Sequence, residues 1–180
     1  MRGLLNFLLV ITSSVFLVSC SNNRTLIRSS GGETYAVNSP EFPDNSGHLS
    51  KGIAGTRFDR EILYYINRYR ASLGKQPLEW SDAVYVQAEK HSADMAASRT
   101  EFGHLGFSER ITALSRQLGF IGASAENVAY GQQSAQEVVN GWINSSGHRK
   151  NIQGDYNLTA VGTATARDGA IYYTQIFIRK

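Results

Sequence analysis

This chain has one cysteine, Cys20, in 180 residues, so an intramolecular disulfide is excluded. At that length a hydrophobic core forms without a covalent staple. Charge of one sign is also scarce in excess. Eighteen Lys and Arg stand against fifteen Asp and Glu, a net +3 that becomes +2 without Arg2. The only adjacent basic pairs are Arg149-Lys150 and Arg179-Lys180. That scatter gives no electrostatic footprint for nucleic acid, and we expect no nucleic-acid partner. No apolar run reaches the length of a transmembrane span, and there is no internal repeat. A His-Glu-x-x-His helix and a nucleophile elbow are both missing.

What is present begins with a leader. Arg2 precedes an apolar run from Leu4 through Val18 and a small residue, Ser19, which is the layout of a secretory signal over residues 1–19. The ending Leu17-Val18-Ser19-Cys20 resembles a bacterial lipobox, which would make Cys20 the lipid-modified first residue of a membrane-anchored protein. Ser21 is not Asp, so by resemblance to sorting patterns the expected address is the outer membrane of the cell envelope. Residues 20–55 are rich in Ser, Asn, Gly and Pro and read as a flexible tether. His48, within it, is given no role.

Residues 56–180 read as one α+β domain. Thr56-Arg-Phe-Asp59 is a capping pattern ahead of Phe58, Ile62, Ile66, Tyr69 and Leu73 at helical spacing, with Gly74 as the stop. Ser81 caps a second helix with the stripe Val84, Ala88, His91 and Met95. On that stripe His91 reads as a satisfied core histidine. His104 sits in a Gly-flanked loop, and Phe107, Ile111, Leu114 and Leu118 repeat as a third helix. The segment Ala123–Gly131 is too short for an independent helix. Its acid, Glu126, must find a partner or have its pKa raised if buried, and is otherwise a surface residue on a loop or edge strand. Ser134 and Glu137 form a capping box for a fourth helix, which ends near Ser145-Ser146-Gly147 and delivers His148 in a turn. Leu158–Ala166 and Ala170–Ile178, joined by Arg167-Asp168-Gly169, read as a β-hairpin.

His104, Glu126 and His148 are the residues that carry chemistry. Two neutral imidazoles with a water and a nearby carboxylate would suit zinc, or another divalent cation such as magnesium, and Glu126 would orient or deprotonate that water. Ser145 and Ser146 lie near His148 without an evident acid to complete a triad.

The order Asn67-x-x-Arg70, Pro77-Leu78-x-Trp80, His104, Glu126-Asn127-x-Ala129-x-Gly131, Trp142-x-x-Ser145-x-Gly147-His148-Arg149-x-Asn151-Ile152, Val161-Gly162 and Tyr173-Thr-Gln175-x-Phe177 resembles the CAP superfamily (SCP/TAPS). Its founding groups are cysteine-rich secretory protein, antigen 5 and pathogenesis-related 1, and the match is to the bacterial extracellular form. The resemblance implies an α-β-α sandwich, with a small antiparallel sheet between helix layers and a cleft lined by histidine and acidic residues. It places the first cavity histidine at His104 and the first cavity glutamate at Glu126, and makes Asn67 and Arg70 structural supports. Tyr172 stands where eukaryotic members carry a second histidine, and Ser145 where many carry a second glutamate. His148 belongs to the Ser-x-Gly-His pattern of bacterial members. Asn127, Tyr130, Ser145 and Tyr172 are expected to support the cleft. With the second acid missing, we expect a binding module for a divalent metal and a small hydrophobic, lipid-like or peptide-like ligand. The alternatives are a metal-assisted hydrolase with Glu126 and His148 as catalytic residues, and a purely structural envelope protein.

Overall fold

The computed structural model describes residues 55–180 and, upstream, the backbone of two short strands, Leu26–Arg28 (β1) and Thr34–Ala36 (β2). These two pair antiparallel, Leu26 opposite Ala36. The signal segment, Cys20, His48 and the remainder of the expected tether lie outside the described residues.

In the main unit, helix α1 (Arg57–Ser72) starts at the expected capping box. Thr56 Oγ1 accepts from the Asp59 N–H at 3.1 Å, and the Asp59 carboxylate accepts from the Thr56 N–H at 2.8 Å. The same carboxylate accepts from Thr163 Oγ1 at 2.7 Å, tying the start of α1 to the sheet. Ile62 and Ile66 form the buried stripe. Beyond Gly74, with φ +69°, the chain is clamped by α1 itself. Asn67 exchanges hydrogen bonds with the Leu78 backbone at 2.9 and 2.8 Å. Buried Arg70 donates to the carbonyls of Gln76, Ile152 and Gly154 at 2.7–2.9 Å. Both side chains are therefore structural ties.

Strand β3 (Glu79–Trp80) is only two residues long and runs parallel to the distant segment from Leu158, a pairing too short for periodicity to reveal. Helix α2 (Asp82–Ala96) has the expected Ser81 N-cap, and α3 (Phe107–Leu118) follows the His104 loop. The segment Ala123–Tyr130 is a strand, β4, at the sheet edge, and Glu126 on it is buried with partners rather than at the surface. Strands β5 (Leu158–Thr165) and β6 (Ile171–Arg179) form the expected hairpin, with Gly169 at φ +88° in the turn.

Sheet order is β3-β5-β6-β4, antiparallel except for β3 with β5, so the sheet is mixed rather than wholly antiparallel. Because side chains alternate along a strand, β6 feeds two cores. Tyr173 and Phe177 pack with Ile62, Ile66 and Trp142 under α1 and the helix that carries Trp142. Ile176 and Ile178 pack with Val84, Ala88 and Leu114 under α2 and α3. Helices on both faces of one sheet make the α-β-α sandwich.

The region around His148 departs from expectation. Helix α4 (Ala135–Asn144) ends at Ser145, which is extended at φ −84° and ψ 123°, and a second helix, α5 (Ser146–Ile152), follows at once. His148 is therefore in the first turn of a helix, not in a turn beyond one. Seven residues do not hold a helix by propensity; burial of Ile152 and the Arg70 bond to its carbonyl do. The Ser134 capping box is half formed. Ser134 Oγ accepts from the Glu137 N–H at 3.1 Å, but the Glu137 carboxylate turns to the Gln133 N–H.

Candidate functional site

The site is built on the edge strand. Consecutive residues of β4 point to opposite faces, so Glu126 serves the α2–α3 side and Asn127 the α5 side.

The Glu126 side chain is 2% exposed and meets Arg110, itself 10% exposed, through two parallel bonds. Arg110 Nε donates to Oε2 at 2.9 Å and Nη2 to Oε1 at 2.8 Å, the fork geometry that suits arginine. His104 Nδ1 lies 2.9 Å from Oε1 and donates to it, which leaves Nε2 with the free lone pair when the ring is neutral. The loop carrying His104 is pinned on both sides. The Gly103 carbonyl accepts from His91 Nε2 at 2.8 Å, and the Leu105 carbonyl accepts from Arg110 Nη1 at 2.9 Å. A rigid loop thus presents an imidazole whose side chain is 51% exposed.

Fully buried Asn127 donates to the His148 carbonyl at 3.2 Å. Asn151 donates to Asn127 Oδ1 at 2.9 Å and to the Glu126 carbonyl at 3.2 Å. These bonds seat α5 against β4 and set His148. Burial pushes the His148 pKa down, and repulsion from a protonated His104 pushes it the same way.

Glu126 differs from its expected role. Both of its oxygens are held by Arg110 and His104, and among the described residues no three His, Cys, Asp or Glu side chains group to hold a metal ion. The three-residue ligand set read from the sequence therefore does not form as expected, and Glu126 stands behind the His104 imidazole instead. The residue missed is Arg110. Its signal was there: it lies three residues after Phe107 and four before Leu114, inside the apolar stripe of α3. Of the expected supports, Asn127 acts as described and half-buried Ser145 forms the break between α4 and α5. Tyr130 and Tyr172 stack on each other at 5.5 Å, further along the strands.

His91 is the satisfied core histidine expected of it, buried with its ring bonded to Gly103. Burial holds its pKa, like that of His148, below the usual 6.5. The unfolded chain therefore binds protons near pH 6.5 that the folded chain refuses. Stability is full above that pH and falls as pH drops through it towards the lower folded values. Buried Asp59 opposes this at more acid pH, because burial raises its pKa above 3.8 and the folded state takes that proton first. The urea midpoint is expected to decline from pH 7.5 to 5.5, with a shallower decline in His148→Gln. A flat wild-type profile would mean that neither imidazole is held neutral by the fold.

A three-layer sandwich with an edge-strand glutamate locked between histidine and arginine is the arrangement of an SCP-type domain. The sequence agrees with that class: residues 63–177 match the model of the cysteine-rich secretory protein family, CAP, and the chain belongs to that family. It is 32% identical over 125 residues to protein YkwD and 33% identical over 130 residues to membrane protein YlbC, both of Bacillus subtilis. Those matches cover 68% and 69% of this chain but 48% and 35% of the relatives, so the chain spans about half or less of their length. An extracellular SCP-domain protein from Bacillus anthracis superposes with TM-score 0.57 at 29% identity, covering 67% of this chain and 40% of that one. An outer surface protein from Borrelia burgdorferi shares the fold at TM-score 0.61 and 22% identity, covering 71% of this chain and 96% of that one.

Proposed function

We propose that this protein is an extracytoplasmic binding module, lipid-anchored through Cys20 to the bacterial cell envelope at the outer membrane, whose histidine pair takes a divalent cation together with a small ligand. The placement rests on the leader and lipobox-like sequence, and it agrees with the extracellular relative at 29% identity.

The observation that carries the binding reading is the Arg110–Glu126–His104 chain. A carboxylate behind a histidine fixes the tautomer and aims Nε2 outward, the usual support of a metal-binding imidazole. The same carboxylate, neutralised by a guanidinium, is not free to take a proton from water, so the hydrolase alternative loses its base. His104 and His148 would hold the ion, which would supply Lewis acidity towards an oxygen of the ligand. Two imidazoles favour zinc over magnesium, which prefers oxygen donors.

Calorimetry on the full chain purified without chelator is the test. One zinc should bind per chain, about 10–100-fold more weakly after His104→Ala or His148→Ala, with Glu126→Gln also weakened. If zinc does not bind, or the alanine variants bind it as the wild type does, the histidines only tie loops together. For the anchor, Cys20→Ser should abolish palmitate labelling in cells, and labelling that persists removes the lipobox reading.

A further inference from the structure

Beside the histidine pair, three aromatic rings meet at the surface. Tyr130 of β4 stacks on Tyr172 of β6 at 5.5 Å and 29°, and Phe102 of the His104 loop sits 5.4 Å from Tyr130 and 6.4 Å from Tyr172. Phe102 remains 51% exposed and Tyr130 55%. Folding leaves this apolar area wet although both core clusters lie close by, so burial does not account for it. The loop beyond adds Leu105, 71% exposed, and a recess of about 620 Å³ whose lining includes Met95, Thr100, Glu101 and Tyr172. That volume falls within the range of about 300–1,000 Å³ found for small-molecule sites.

We propose that these rings form a shelf for a neutral oligosaccharide. This rests on reading this face as a binding site, and it names the class of the small ligand. Three features point to a sugar. Phe102 and Tyr130 lie open beside the partly buried Tyr172, so they offer apolar ring surface to one side of a ligand only. An acyl chain of the kind expected from the sequence needs apolar walls all round, whereas a pyranose has one C–H face to stack and a hydroxyl edge that stays polar. The rim supplies hydroxyl, carboxylate and phenol groups for those hydroxyls. Finally, the rim's charges compensate each other. Arg99 donates to Asp94 at 2.7 Å and Lys90 to the same carboxylate at 2.6 Å, and Glu101 adds a second carboxylate to the rim, so two anions stand there against two cations. Tyr130 is four residues from Glu126 on the same strand face, about 13 Å along β4. A ligand a few sugar rings long would therefore reach from the shelf to the histidines.

Calorimetry and saturation-transfer NMR on the full chain would use chitotetraose, cellotetraose and maltotetraose as probes, with octanoate and a thymidine tetranucleotide as competitors of other classes. At least one tetrasaccharide should saturate below about 1 mM. Tyr130→Ala and Phe102→Ala, checked for an unchanged melting temperature, should each weaken it about tenfold, while Tyr130→Phe keeps the ring and the affinity. Zinc binding should not change in any of the three. The proposal is overturned if no tetrasaccharide binds, if the alanine variants bind as well as the wild type, or if only octanoate or the tetranucleotide is held. Sugar binding without zinc binding sinks the cation reading alone, and zinc binding without sugar binding sinks this one alone.

Discussion

Gly162→Ala is expected to cost about 3 kcal/mol or more, against a typical domain stability of about 5–15 kcal/mol, or to yield insoluble protein. A Cβ at Gly162 would lie 2.1 Å from the Glu89 nitrogen, 2.3 Å from its Cα and 2.6 Å from the Ala88 carbonyl carbon. These are backbone atoms of α2, which no rotamer change can move. The helix would have to lift off β5, opening the contacts of Val84 and Ala88, both fully buried. It would also break the bond from Ser92 Oγ to the Gly162 carbonyl at 2.8 Å. Gly141 is the control, since a Cβ there meets nothing within 4 Å and the residue lies inside α4. Gly141→Ala should raise stability by about 0.5–1 kcal/mol through helix propensity alone. Guanidinium unfolding of both variants decides it. A Gly162→Ala midpoint close to wild type would mean that the close approach of α2 to the sheet is not required.

Gly162 also marks where sequence reasoning stops. The helices were legible because their signals are local: Thr56, Ser81 and Ser134 each cap the helix that follows, and the stripe of α1 runs unbroken from Phe58 to Tyr69. The β5–β6 hairpin announced itself by Asp168-Gly169. Strand β4 did not, because its middle residues, Glu126 and Asn127, are polar and buried on opposite faces, so neither face alternates cleanly. Helix α5 was hidden for a related reason: its support comes from Arg70, 82 residues away, and not from its own seven residues. The site was half legible. His104 and His148 were found as residue types in unusual places, and Glu126 as an acid among small neighbours that needed a partner if buried. Which partner it had depended on Arg110, 16 positions upstream on another element. An arginine in a helix reads as solvated unless its place in the apolar stripe is taken literally.

That arginine supports the second large effect. Arg110→Ala is expected to cost about 3–5 kcal/mol, because it leaves the Glu126 carboxylate buried without its counter-charge. It also frees the Leu105 carbonyl, one of the two pins on the His104 loop. Arg110→Lys should recover only part of the loss, since an ammonium cannot reproduce the two parallel bonds at 2.9 and 2.8 Å. Stability alone would not separate a positioning device from a plain buried ion pair. The double variant Arg110→Met with Glu126→Leu separates them. Replacing both charges with apolar side chains removes the desolvation cost along with the attraction, so the protein should unfold within about 1–2 kcal/mol of wild type. His104, however, loses the acceptor that fixes its tautomer, and zinc affinity should drop about 10–100-fold in a protein that is otherwise sound. If the double variant instead bound zinc as tightly as wild type, the Arg110–Glu126 pair would be scaffolding only. The histidines would then owe their placement to the Gly103 and Asn127 bonds alone.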